Sequence, residues 1–119
     1  MNQESIIIMQ IIDGKKIADK LNSELKLKIG SLKNELELSL VVIIVGSNPA
    51  SNIYVKNKEK KAYEIGIKSK VVRIESQVSQ KELICMIEEY NKNVDIDGIL
   101  VQLPLPKHIE SKSVIDKIN

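Results

Sequence analysis

Lys58 is the residue whose placement in this chain most clearly invites chemistry. On a helical wheel of about 100° per residue, Ser51, Tyr54, Val55, Lys58, Ala62 and Ile65 fall within roughly 100° of one another and form one stripe. Lys56 and Lys60 lie across from it with Asn57 and Glu64, as ordinary solvated surface, and Lys61 marks its edge. A lysine in the middle of an inward stripe is expected to lose water, which disfavours the charged amine and suits it to proton transfer. The same position also fits a lysine that snorkels back to solvent. Tyr54 precedes it by one helical turn, so its ring and hydroxyl can reach the ammonium group, and Ser51 continues the polar line. The chain has three tyrosines and no Phe or Trp, which singles out an aromatic beside Lys58; plain core packing is the other reading of Tyr54.

Gln102 is the second polar residue out of place, because it follows the apolar run Ile99-Leu100-Val101. Burying it without a hydrogen-bond partner would cost about 1–3 kcal/mol. Lys58, or a polar heterocycle bound beside it, would satisfy the amide, and so would the backbone of a purely structural site. Pro104 and Pro106 stiffen the loop behind it into a wall that suits a flat ligand, and either X-Pro bond could be cis. The remaining reactive side chains carry less. His108 stands in a polar loop without a second His or Cys nearby, so no metal role is assigned. Cys85 lies in Leu83-Ile84-Cys85-Met86-Ile87, where a buried structural thiol is expected.

These residues need elements to hold them. Gly14 to about Leu36 carries apolar residues at Ile17, Leu21, Leu25, Leu27, Ile29 and Leu32, the spacing of an amphipathic surface helix. Leu40 to Val45 is an unbroken β-branched and apolar run, as in a parallel strand covered on both faces. Gly46-Ser47-Asn48-Pro49 reads as a turn, followed by a helix from about Ala50 to Glu64 that Gly66 stops. A strand over Ser69–Ile74 follows, then a capped helix from Ser79 to about Asn91, a strand over Ile96–Leu103, and a helix from Ser111 to Ile118. Ile6-Ile7-Ile8-Met9 reads as a strand or short extension. The alternation predicts an α/β fold, a three-layer sandwich with a mainly parallel sheet flanked by helices. In such sheets ligands bind beyond the strands' carboxyl ends, where the Tyr54/Lys58 helix begins and Gln102 sits.

Composition bounds the rest. At 119 residues the chain suits one domain. A net charge of +2 without a concentrated basic patch argues against nucleic acid. A single cysteine excludes an intrachain disulfide framework and fits a cytoplasmic setting, and no run nears the ~20 apolar residues of a membrane span. Gly46 belongs to neither a GxGxxG nor a Walker pattern, so no nucleotide-phosphate loop is visible.

Four blocks resemble one enzyme family: Ile12-Asp13-Gly14-Lys15 with Ile17-Ala18, Val45-Gly46 through Pro49-Ala50-Ser51, Tyr54-Val55-Lys56-Asn57-Lys58 with Glu64-Ile65-Gly66-Ile67, and Asp97-Gly98-Ile99-Leu100-Val101-Gln102-Leu103-Pro104-Leu105-Pro106. In order and content they resemble the N-terminal catalytic domain of bifunctional methylenetetrahydrofolate dehydrogenase/methenyltetrahydrofolate cyclohydrolases. The resemblance implies that residues 1–119 form a folate-binding catalytic domain of an NADP-dependent enzyme, NAD serving in some members. It implies catalytic roles for Lys58, Tyr54 and Gln102, and a tetrahydrofolate site drawn from Ser51, Tyr54, Val55, Lys58, Val101, Gln102, Leu103 and Pro104. It further implies a cytoplasmic homodimer that interconverts one-carbon folates, as purine biosynthesis requires, with no metal, membrane or nucleic-acid partner. An Asp-Val-Asp-Gly segment that contacts the pterin is expected beyond Asn119, and the NADP-binding Rossmann domain is absent from this chain, so the 119 residues are not expected to transfer hydride alone. A non-catalytic folate-binding or dimerisation module, and a Schiff-base lysine enzyme, are the competing readings.

Overall fold

A computed structural model describes residues 11–32 and 37–119. Its elements run α1 (Gly14–Leu32), β1 (Ser39–Val45), α2 (Pro49–Ile65), β2 (Lys68–Ile74), α3 (Gln80–Lys92), β3 (Gly98–Val101) and α4 (Ser111–Ile115). The Ile6–Met9 run and the expected last turn of α1 lie outside the described residues. The three strands form a parallel sheet in the order β2-β1-β3.

The apolar run of β1 has no alternation because both of its faces are covered. Val41, Ile43 and Val45 point to a core shared with Leu83, Ile87, Val101, Ile109 and Val114, on the side of α3 and α4. Val42 and Ile44 point the other way, against Val55 of α2, with Leu40, Val71 and Leu100 around them. This is the three-layer α/β sandwich that the alternation of elements predicts.

Local chemistry sets the helix limits. Asn48 caps α2 by accepting from the Ser51 amide at 3.1 Å, with Pro49 in the first turn, where its missing N–H costs nothing. Gly66 ends α2 in the left-handed region at φ 93°. Ser79 and Glu82 form the reciprocal capping box that starts α3. The Lys61–Glu64 pair of α2, at 3.1 Å, holds the Glu64 carboxyl below the usual carboxylate range through the Lys61 hydrogen bond and charge. Its lowered value means that this exposed contact acts at neutral pH and is lost as the pH falls through it.

The third strand is shorter than the expected Ile96–Leu103. Asp97 is instead a clip: its amide donates to the Ser39 carbonyl at 2.9 Å and its carboxylate accepts from the Ser39 amide at 2.8 Å, tying the amino ends of β1 and β3 together. At the other end Pro104 cannot extend the ladder. The last helix also stops early, at Ile115.

Two burial expectations change. Cys85 is exposed, because the inward positions of α3 are Leu83 and Ile87, one turn apart, and Cys85 lies about 200° round the helix from Leu83. The first helix has the expected amphipathic spacing but no buried residue, and Ile17, Leu21, Leu25, Leu27 and Leu32 are exposed. Among the described residues α1 rests mainly against α2, where Ile29 meets Gly66. No helix of the described residues is long and apolar enough to cross a membrane.

A Cβ at Gly66 would stand 3.2 Å from Ile29 Cγ2 in addition to straining the backbone. Gly66→Ala is therefore expected to lower unfolding stability by about 1–2 kcal/mol, read from urea denaturation followed by circular dichroism. An unchanged midpoint would mean that neither the cap nor the α1 contact bears on the folded state.

Candidate active site

At the carboxyl edge of the sheet, β1 runs into the turn before α2 and β3 runs into Gln102-Leu103-Pro104. The Gln102 amide still donates to the Ile43 carbonyl at 2.9 Å, which carries the β1–β3 ladder one residue past the strand and fixes where the Gln102 side chain departs. Gln102 is 7% exposed, and both ends of its side-chain amide are bonded. Its Oε1 accepts from Lys58 Nζ at 2.6 Å, and its Nε2 donates to the Leu103 carbonyl at 2.8 Å. The two open readings of Gln102 are thus both partly met, one end of the amide serving the lysine and the other the backbone.

Ser51 is buried at 2% exposure, and its hydroxyl donates to the same Leu103 carbonyl over a long 3.5 Å. Ser51, Lys58, Gln102 and Leu103 therefore form one connected group linking α2 to the segment after β3. The Leu103–Pro104 peptide bond is cis. On the opposite flank of the first turn of α2, Arg73 Nη1 donates to Asn52 Oδ1 at 2.8 Å and braces the helix to β2.

The stripe on α2 is real, with Ser51, Val55 and Ala62 buried, but Lys58 is exposed and the expected desolvation is not present. The helix rests mainly on β2 and β1. The side of the helix bearing Tyr54 and Lys58 is open, and among the described residues Gln102 holds the amine. Tyr54 is 54% exposed and, among the described residues, makes no hydrogen bond to Lys58. Its ring is an open face rather than core packing.

The other expected site residues divide by the same geometry. Leu103, 42% exposed, and Pro104 border Gln102 at the surface. Val55 is sealed in the core beneath α2, and the Val101 side chain belongs to the core on the α3–α4 side of the sheet. Neither side chain is open on the Lys58 face, so any part they play at the site is from within the core. The pleat explains Val101, since consecutive residues of a strand point to opposite faces. His108 is turned away, its Nε2 lying 2.7 Å from the Val78 carbonyl. The Leu103 carbonyl is the one site group that the sequence reading missed. A backbone oxygen carries no residue-type signal.

A lysine held by an amide oxygen, beside an exposed tyrosine ring and a proline-lined edge, can hold or pass a proton at the rim of a flat ligand. The profile of the tetrahydrofolate dehydrogenase/cyclohydrolase catalytic domain matches residues 12–119. The chain belongs to this family. It is 54% identical over 110 residues to the "Bifunctional protein FolD" of Streptococcus equi subsp. zooepidemicus, a match that covers 91% of this chain and 39% of that protein. The FolD methylenetetrahydrofolate dehydrogenase/cyclohydrolase of Campylobacter jejuni superposes with a TM-score of 0.86 at 44% identity, covering 90% of this chain and 38% of the other. The dehydrogenase-cyclohydrolase of Trypanosoma brucei, solved with NADP cofactor and inhibitor, gives 0.82 at 30% identity, covering 92% and 38%. The chain thus spans well under half the length of these members of the tetrahydrofolate dehydrogenase/cyclohydrolase family.

Replacing Gln102 by Met keeps an unbranched side chain of similar size but removes both hydrogen bonds. It is expected to cost about 1–3 kcal/mol, because the Leu103 carbonyl loses its shorter partner in a part-buried setting and Lys58 loses its acceptor. Urea unfolding measures this, and an unaltered midpoint would show that the group contributes nothing to the fold.

Proposed function

We propose that this domain binds a reduced folate over the open face of Tyr54 and that Lys58 is the proton-transfer residue of a methylenetetrahydrofolate dehydrogenase/methenyltetrahydrofolate cyclohydrolase. The observation that carries this is the 2.6 Å bond from Lys58 Nζ to Gln102 Oε1 at the sheet's carboxyl edge, formed between the two sequence blocks that most resemble the family. Tyr54 offers its ring for stacking, Leu103 and Pro104 border the slot, and Val55 and Val101 support it from within the core.

The exposure of Lys58 fits this role once the ligand is counted as part of the site. A flat ring laid on Tyr54 would exclude water from the amine, and a cationic methenyl bridge beside it would disfavour a second positive charge. The neutral amine can then take a proton from the attacking water as the oxygen bonds to the bridging carbon. The proton returns to a folate nitrogen as its bond to that carbon breaks, and the remaining hydroxyl proton passes to solvent as the carbonyl of the formyl product forms. Gln102 keeps the amine in place through both transfers.

NADP is the electron acceptor that we infer for the dehydrogenase step, by likeness to the Trypanosoma brucei enzyme. The residues present do not fit it. The turn at Gly46-Ser47-Asn48-Pro49 is not glycine-rich, and the Ser51 amide is already taken by the Asn48 cap. We therefore assign NADP to a part of the parent protein outside these 119 residues and derive no hydride step here. A cytoplasmic homodimer feeding one-carbon units to purine biosynthesis completes the reading. The apolar stripe of α1, with Ile17, Leu21 and Leu25 exposed among the described residues, is association surface that supports it.

Titration calorimetry of this chain with 5-formyltetrahydrofolate is expected to show saturable binding that Tyr54→Ala weakens. Lys58→Met, assayed in the full parent protein, should lower cyclohydrolase turnover by about 100-fold or more while the folate still binds. Unchanged turnover would remove Lys58 from the mechanism.

A further inference from the structure

We infer that Ser51 is a positioning residue: through the Leu103 carbonyl it fixes which end of the Gln102 amide faces Lys58. The two ends of a glutamine amide are nearly equal in size and opposite in hydrogen-bonding sense. The partners on either side decide between them. A carbonyl can only accept and an ammonium can only donate, so Nε2 must face Leu103 at 2.8 Å and Oε1 must face Lys58 at 2.6 Å. Turned over, the amide would set oxygen against oxygen at one end and N–H against N–H at the other. The orientation of Gln102 therefore depends on where the Leu103 oxygen points.

Ser51 is placed to hold that oxygen. Its amide is secured by the Asn48 cap, its side chain is buried, and among the described residues its hydroxyl donates to the Leu103 carbonyl. At 3.5 Å the bond is long, so the hydroxyl aims the carbonyl's second lone pair toward α2 more than it binds tightly. At 2% exposure Ser51 has no surface to offer a folate. The expected substrate-binding role thus becomes an indirect one, exerted through Leu103 and then Gln102. Its consequence for catalysis rests on the folate reading above; the orientation of the amide does not.

The first test needs no folate. In this chain the Gln102 side-chain amide, followed by proton–nitrogen NMR, should exchange slowly with solvent. Ser51→Ala should speed that exchange by about fivefold or more with the backbone spectrum otherwise retained, and Ser51→Thr, which keeps a hydroxyl, should restore it to within about twofold. Unchanged exchange in Ser51→Ala, or a folded Ser51→Thr that exchanges as fast as Ser51→Ala, overturns the inference. Should Ser51→Ala fail to fold, Ser51→Cys, close to serine in size and a weaker donor, takes its place under the same criteria.

The second test is a double-mutant cycle for 5-formyltetrahydrofolate binding. A loss of affinity with Ser51→Ala that vanishes in a Gln102→Ala background supports action through Gln102, whereas additive losses would place Ser51 against the ligand and overturn it. Absence of folate binding by the unaltered chain would count against the proposed function while the exchange measurement still decides the role of Ser51.

Discussion

The double-sided burial of β1 is the constraint on which the rest of the structure depends. A strand with apolar side chains on both faces is stable only when helices cover both, and its two edges must each be paired. β2 and β3 supply the pairing, while α2 covers one face and α3 with α4 the other. The start of α2 and the segment after β3 are thereby brought to the same edge. Lys58 and Gln102, 44 residues apart in the chain, meet because their elements flank the same central strand.

At that edge, burial and exposure are divided between the partners. Gln102 and Ser51 are enclosed and give up their hydrogen-bonding capacity to one backbone carbonyl and one amine. Lys58 and Tyr54 stay open to solvent. The bonded Gln102 amide thus holds the exposed amine in position without sealing it.

Much of this was legible in the residues. The unbroken β1 run, the turn chemistry at Asn48-Pro49 and Gly66, and the capping box at Ser79 and Glu82 are local signals, and the structure follows them closely. The singular positions of Lys58 and Gln102 were also visible, as polar residues in apolar patterns. Less legible was the fate of Cys85, whose neighbours are apolar but whose angle on α3 turns it to solvent. Asp97 and Gly98, conspicuous in sequence as part of a motif, turn out to sit at the far end of β3 from the site, where Asp97 is a structural clip to Ser39.

Periodicity and capping are properties of neighbouring residues, so the sequence by itself determined the order of elements, the α/β class and the identity of the lysine helix. Exposure and orientation depend on what lies across space, and only the tertiary structure decided them. It left Lys58 exposed beside the segment after β3, sent Val101 to the opposite face from Gln102, and introduced the Leu103 carbonyl as a shared acceptor. The wheel had put Lys58 among inward residues because it records angle about one axis. Whether anything packs at that angle depends on contacts across space, and among the described residues α2 packs mainly on β2 and β1.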